Sequence, residues 1–399
     1  MVKRILIVNK FYYPRGGDCV CTINLEKMLR KQGYEVAIYA MNHTDNIICN
    51  YTKYFAAEVS FSGGAKSKAA AIQRIFGIGN ITNSFKKILT DFKPDIVHFQ
   101  NIHSYLSPVV VKLAKEFGAK TIWTMHDYKL LCPSYSCRRP GNNSCTLCFS
   151  NKSNVTKFRC MKGSLAASIL AQFEALYWNK EKLQHYTDVF ICPSLFMKQK
   201  MQEGGFNEKK LFHLCNFIDP IKYDLMKKSH LTDREAYYCY VGRLSEEKGI
   251  ETLLEVARTL PYTLKIAGDG PQKTELEQKY NFENIEFLGN LDAKEIVELL
   301  SKAQVLVIPS EWFENNPLSV IESLCMGTPV IGAKTGGIPE LIDDTCGITF
   351  TPQNAIELRQ AIQKIYDSNQ FEFNDIAEKA RKKFSSETHF QSLIHLYHN

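Results

Sequence analysis

Short runs of consecutive apolar residues, many of them β-branched, alternate with stretches of helical periodicity along nearly the whole chain. In the first half the runs fall at 4–8, 35–39, 96–99, 121–125 and 189–192. In the second half they fall at 238–241, 264–267, 285–287, 305–308, 329–332 and 347–350. Strands covered on both faces are apolar at successive positions rather than alternate ones, so these runs read as parallel strands and the intervening stretches as crossover helices. The pattern predicts an α/β protein with two doubly wound, Rossmann-like parallel sheets. A junction near Asn216-Phe217-Ile218-Asp219-Pro220 separates residues 1–215 from 216–378, because a new strand–helix series begins at Tyr237. Residues 379–399 have a helical pattern of their own.

Composition narrows the picture without changing it. The chain of 399 residues is too long for one ordinary core. Its hydrophobic share of 45% and charged share of 23% are those of a globular protein. No apolar run approaches the length of a membrane span. The run at 5–8 is too short for a signal-peptide core and reads as a first strand, so the expected location is cytoplasmic. The net charge of +7 suits an anionic ligand or the inner face of an anionic membrane. It comes without the basic blocks or aromatic–basic modules of a nucleic-acid binder. Of the 13 cysteines, several sit in predicted strands (Cys192, Cys239) and read as reduced core residues.

Candidate chemistry collects where predicted strands end. The stretch PSEWFENNPLSVIES, residues 309–323, places Glu314 in a strand-end loop and Glu322 eight positions later on a helix. Asn316 and Pro317 between them read as N-cap and first helical residue. The backbone amides of residues 316–319, Leu318 included, would then face an anion. Two carboxylates beside an anion site make sense if they serve neutral hydroxyls, as in a nucleotide-sugar. In VGRLSEEKG, residues 241–249, Arg243 and Lys248 can neutralise a diphosphate. PRGGD, residues 14–18, puts Gly16 and Gly17 between the first strand and a helix running to about Gln32. The glycine pair allows positive φ and a close backbone approach; by itself it is also an ordinary turn. It lacks the G-x-G-x-x-G spacing of a dinucleotide dehydrogenase. TMHDY, residues 124–128, sets His126 at a strand's carboxyl end with Asp127 beside it. AGDGP, residues 267–271, is a strand-end turn with Gly268 and Gly270. GGIPE, residues 336–340, reads as structural or cleft-lining.

These motifs, in this order and over roughly the whole chain, resemble those of the family 4 retaining glycosyltransferases of the two-domain GT-B type. The resemblance implies sugar transfer from a nucleotide-diphosphate sugar with retained configuration and no metal or other cofactor. The implied acceptor is a saccharide, typically lipid-linked, in bacterial capsular, exo- or lipopolysaccharide assembly. It implies an acceptor-side domain (1–215), a donor-binding domain (216–378) facing it across a cleft, and a C-terminal segment (379–399) packing back on the first. By resemblance Glu314 holds the donor sugar and Glu322 the ribose. Gly16 and Gly17 admit the diphosphate, and His126 serves the sugar. Gly268 and Gly270 border the nucleotide. Arg243 and Lys248 stabilise the leaving diphosphate, and Asp127, His103 and His98 are weaker acceptor candidates. Two rival readings are a hydrolysing sugar-nucleotide 2-epimerase and a non-catalytic nucleotide-sugar-binding protein.

Two segments stand outside that pattern. Cys132, Cys137, Cys145, Cys148 and Cys160 crowd an insert at about 132–160. Cys137, Cys145, Cys148 and Cys160 could close a tetrahedral structural zinc site; free thiols or one labile disulfide are the alternatives. Residues 164–186 place Ala166, Ile169, Leu170, Phe173, Leu176 and Tyr177 on one helical face, expected to pack on its own domain rather than on a membrane.

Overall fold

The computed structural model describes residues 3–61, 63–141, 144–228, 234–368 and 370–398. Two compact units divide it. One comprises Met1–Cys215 and Phe390–Asn399, the other Asn216–His389.

In the first unit six strands form one sheet: β1 (Arg4–Val8), β2 (Glu35–Tyr39), β3 (Ile96–Phe99), β4 (Lys120–Thr124), β5 (Val189–Cys192) and β6 (Leu211–His213). Their order is β2-β1-β3-β4-β5-β6 and every pairing is parallel. Ile5, Leu6, Ile7 and Val8 are fully buried, because helices cover both sheet faces. Seen along the sheet, the chain steps from β1 out to β2, then returns past β1 to β3. The loops leaving β1 and β3 therefore diverge at this reversal, where open α/β sheets form a crevice at their carboxyl edge.

The second unit repeats the plan with β7 (Tyr237–Val241), β8 (Thr263–Ala267), β9 (Ile285–Gly289), β10 (Leu306–Ile308), β11 (Val330–Ala333) and β12 (Gly347–Phe350). The order is β12-β11-β10-β7-β8-β9, again all parallel. Here the reversal lies between β7 and β10, so the loops after those two strands flank the crevice.

All eleven predicted strands are present, and β6 is added. It was illegible because Phe212 and His213 are exposed on an edge strand of three residues, which leaves no apolar run. The C-terminal segment is two helices, Phe373–Lys383 and Ser386–His398. Between them Ser385 accepts the Thr388 N–H through its hydroxyl at 3.1 Å, capping the second. On that last helix Leu393 and Tyr397 are buried, and the Tyr397 hydroxyl meets His98 Nδ1 at 2.7 Å. His98 Nε2 pairs with Thr124 Oγ1 at 2.8 Å. His98 is thus a core residue with both ring nitrogens engaged, not the acceptor contact expected.

The segment at 164–186 breaks at Trp178 into helices Leu165–Tyr177 and Lys180–Tyr186. The first is turned the opposite way from expectation. Ser168, Ala171 and Glu174 face inward, while Leu165, Ile169, Phe173, Leu176 and Tyr177 are exposed. Glu174 sets the orientation by a buried 2.8 Å ion pair with Lys129 and by hydrogen bonds from Ser104 Oγ. Among the described residues, no helix is long and apolar enough to cross a membrane.

Arg234 anchors the second unit. Nη1 donates to the carbonyls of Leu300 (3.0 Å) and Ala303 (3.1 Å) and to Thr328 Oγ1 (2.6 Å), and Nη2 donates to Met326 O at 2.9 Å. Its guanidinium also stacks 4.3 Å from the Phe373 ring centroid. One cation thus satisfies carbonyls at the carboxyl ends of helices Ala293–Lys302 and Leu318–Cys325, where the helix dipoles favour positive charge. Arg234→Met should lower the urea unfolding free energy of this unit by roughly 2–4 kcal/mol, the cost of several charge-assisted hydrogen bonds. Arg234→Lys should recover little of it, since an ammonium lacks the planar fork.

Candidate functional site

In the second unit the loops after β7 and β10 carry the predicted charges, and glycines press them together. Gly249 has φ +65°, and a Cβ there would lie 2.1 Å from the Pro309 carbonyl oxygen. Gly336, at φ +59°, would place a Cβ 2.0 Å from the Glu314 carbonyl oxygen, and Gly337 N–H donates to that oxygen at 2.7 Å. The β7 loop is thereby pinned to the β10 loop, and the β10 loop is held from its other side by the GGIPE turn. Between them Lys248 Nζ meets Glu314 Oε1 at 2.6 Å, and Ser310 Oγ donates to the same oxygen at 2.7 Å. Burial pushes the Glu314 carboxyl up, but Lys248 and these hydrogen bonds outweigh it and hold the group below its ordinary range. Glu314 lies in the strand-end loop expected of it and is buried there.

Gly268 and Gly270 have a purpose inside the fold. A Cβ would stand 1.9 Å from Gly242 O at the first and 2.2 Å from Leu244 O at the second. The two turns lie backbone against backbone, joined by Gly242 N–H to Ala267 O (3.0 Å) and Leu244 N–H to Asp269 O (2.9 Å). Arg243, on the turn so supported, is exposed.

Helix Leu318–Cys325 begins one residue later than expected, with Pro317 as N-cap. Asn316 is unavailable for capping because its Oδ1 accepts the Asn216 N–H at 2.8 Å, and its carbonyl accepts Asn216 Nδ2 at 2.8 Å. Its own Nδ2 is buried with no hydrogen-bond partner. Glu322 is buried on this helix and pairs with Lys222 Nζ at 2.5 Å. Sequence reasoning missed Lys222 and Ser310. Lys222 lies 100 positions from Glu322, and nothing local in either stretch joins them.

In the first unit the loops at the β1/β3 reversal are stitched by Lys10 N–H to Asn101 O (2.9 Å) and Asn101 N–H to Asn9 Oδ1 (3.0 Å). Gly17 opens helix Gly17–Lys31 and Gly16 is its N-cap, with φ −170°. Neither glycine adopts the positive φ that the sequence allowed. A Cβ on Gly17 would meet nothing within 4 Å, and one on Gly16 only Asp18 Oδ1 at 3.6 Å. The fold therefore gives no internal reason for this pair. Asp18 pairs with Lys10 at 3.4 Å; burial raises its carboxyl, but Lys10 and His126 hold it low.

His126 follows β4, and its Nε2 contacts Gln100 Oε1 at 2.6 Å. An amide oxygen only accepts, so Nε2 carries the proton and Nδ1 is left as acceptor. Burial pushes the imidazole down to about 4, against the pull of Asp18. Gln100 Nε2 is a buried donor without a partner. Asp127 accepts from the Lys129 N–H (2.9 Å) and Asn101 Nδ2 (3.2 Å), and burial raises its carboxyl. His103 stacks on Trp123 at 5.2 Å and is also driven toward neutrality by burial.

The insert brings all five of its cysteines, the expected quartet included, close enough to interact electrostatically. Cys132, Cys137 and Cys148 are buried, and the Cys132 thiol shares hydrogen bonds with the other two. Those bonds draw Cys132 well below the usual thiol range and push Cys137 and Cys148 well above it. Among the described residues, no three His, Cys, Asp or Glu side chains are grouped to hold a metal ion.

Residues 15–222 match the family described as Glycosyltransferase Family 4, and residues 222–384 match Glycosyl transferases group 1. A protein of Klebsiella pneumoniae, "Uncharacterized 42.6 kDa protein in cps region", is 26% identical over 84% of this chain and 87% of its own. Glycogen synthase of Mycobacterium tuberculosis is 31% identical over 77% of this chain and 69% of its own. The fold superposes on Anabaena HepE in complex with UDP and glucose with a TM-score of 0.67, at 18% identity and 99% coverage of both chains.

Three measurements probe this geometry. Gly249→Ala should cost about 1–3 kcal/mol in thermal or urea unfolding, from the strained φ and the close Pro309 carbonyl. Gly17→Ala, with open space around it, should be neutral or stabilise by up to about 1 kcal/mol. His126 should stay neutral in an NMR titration until the pH nears 4. Its folded value lies below that of the unfolded chain, so unfolded molecules take up the proton first. Stability should therefore fall as the pH drops from about 6.5 toward 4, and His126→Gln should flatten part of that slope.

Proposed function

The chain belongs to glycosyltransferase family 4, and on that premise we propose that it moves a sugar from a nucleoside-diphosphate sugar to a saccharide acceptor. The reading retains the anomeric configuration and needs no metal. The observation that carries it is the Lys248–Glu314 pair at the β7/β10 reversal, 2.6 Å apart and braced by glycines on both sides. Such a pair offers an ammonium to a leaving diphosphate and a carboxylate to sugar hydroxyls from one rigid mount.

In the proposed reaction the bond from the anomeric carbon to the diphosphate oxygen breaks first. Negative charge grows on that oxygen and is met by Lys248 and by the exposed Arg243. The acceptor hydroxyl attacks the same face of the sugar, and its proton passes to the departing oxygen. Glu314 holds the sugar hydroxyls. Glu322, charge-balanced by Lys222, holds the ribose. The N–H groups opening helix Leu318–Cys325 and the unpartnered Asn316 Nδ2 offer hydrogen bonds to the nucleotide. For the first unit we propose a share in substrate binding through neutral His126, the unpartnered Gln100 Nε2 and the open backbone at Gly16 and Gly17. The cps-region relative supports an acceptor in surface polysaccharide assembly; we propose further that the acceptor is carried on a lipid and that the enzyme works in the cytoplasm at the membrane face.

A thermal-shift series with UDP, GDP, ADP, TDP and CMP, without metal, tests the donor site. One nucleoside diphosphate should raise the midpoint in a concentration-dependent way. Glu322→Gln should remove most of that rise while leaving the unliganded melt cooperative. A flat response to every nucleotide would sink the transferase reading.

A further inference from the structure

Helix Leu165–Tyr177 presents its large apolar side chains outward. Leu165, Ile169, Phe173, Leu176 and Tyr177 are each 38–58% exposed, whereas the inward positions are the small or polar Ser168, Ala171 and Glu174. Its one acidic residue, Glu174, is buried against Lys129, so the outer face carries no negative charge. The stripe continues onto a second element. The Phe76 ring meets Tyr177 edge-on at 5.2 Å, and exposed Ile72 lies one helical turn before Phe76. A contiguous apolar surface of this kind on a globular unit marks a place of contact.

The charges around it say what it contacts. Lys157, Arg159 and Lys162 precede the helix and Lys180 and Lys182 follow, with Glu181 the single exposed acid among them. Lys182 Nζ sits 4.5 Å over the Tyr177 ring and donates to the Tyr177 carbonyl at 2.8 Å, bringing a cation to the edge of the apolar stripe. An apolar helix face bracketed by cations is what an interface of anionic headgroups over acyl chains receives. A second copy fits poorly, because a two-fold pairing of this face would set one basic rim against the other.

We propose that helix Leu165–Tyr177 docks the first unit onto an anionic lipid surface, lying in the plane of the interface with Phe173 and Leu176 below the headgroups and the basic residues at its two ends among them. The docking stands on this helix alone and does not rest on the transferase reading.

The test is flotation of the full chain with vesicles, without nucleotide. The protein should rise with phosphatidylcholine–phosphatidylglycerol vesicles at low salt, stay behind with phosphatidylcholine alone, and lose most binding at high salt. The double variant Phe173→Glu, Leu176→Glu should weaken vesicle binding more than about tenfold. Its circular dichroism and melting midpoint should match the parent, because both residues are exposed. Absence of flotation with anionic vesicles, or equal flotation of parent and variant, overturns the proposal. So does a parent that sediments as a dimer which the variant dissociates, since the face would then join copies of this chain.

Discussion

Backbone against backbone, with no side chain between, is the contact on which the candidate site depends. At Gly249 and Gly336 the main chain approaches the β10 loop more closely than any Cβ allows, and at Gly268 and Gly270 it approaches the β7 loop in the same way. Four such approaches convert four separate loops into one block. Within that block a lysine on a short 3-10 turn and a glutamate on a loop are held at ion-pair distance. Held there, the two charges need little reorganisation when a ligand's charge replaces the partner's, which is the condition under which electrostatic catalysis is strong.

The sheets decide where such a block can form. In each unit the strand order reverses once, and the loops at the reversal spread apart at the carboxyl edge. In the second unit these are the loops with Arg243, Lys248 and Glu314; in the first, those with Gly16, Gly17 and Gln100, with His126 one strand over. Opposite electrostatic choices follow. The second unit keeps Glu314 ionised beside a cation, whereas the first buries His126 into neutrality. The second unit keeps a charged pair at its reversal, and the first keeps a neutral imidazole beside the Lys10–Asp18 pair.

Much of this was legible in the chain. Consecutive β-branched runs announced eleven of twelve strands, and strand-end motifs named Lys248 and Glu314 before any distance was known. The rest was hidden for physical reasons. Strand β6 borrows its burial from one residue, Leu211. Lys222 and Glu322 are joined only by the fold. Asn316 has the chemistry of a cap but spends its oxygen on Asn216, so Pro317 becomes the N-cap and the helix starts at Leu318. The direction of helix Leu165–Tyr177 was illegible because amphipathicity shows two faces without saying which looks inward. A buried ion pair, Glu174 with Lys129, outweighed five large apolar side chains in settling it.

The C-terminal segment has a consequence for the order in which the protein is made. Residues Phe390–Asn399 belong to the first unit, and Tyr397 closes on His98 in its sheet. A ribosome releases these residues only after all of Asn216–His389. The first unit therefore stays one helix short throughout synthesis of the second, with the site that Tyr397 will cover still open to water. The second unit, contiguous in the chain, can complete its sheet while the older half waits, and the usual N-to-C sequence of domain folding is inverted.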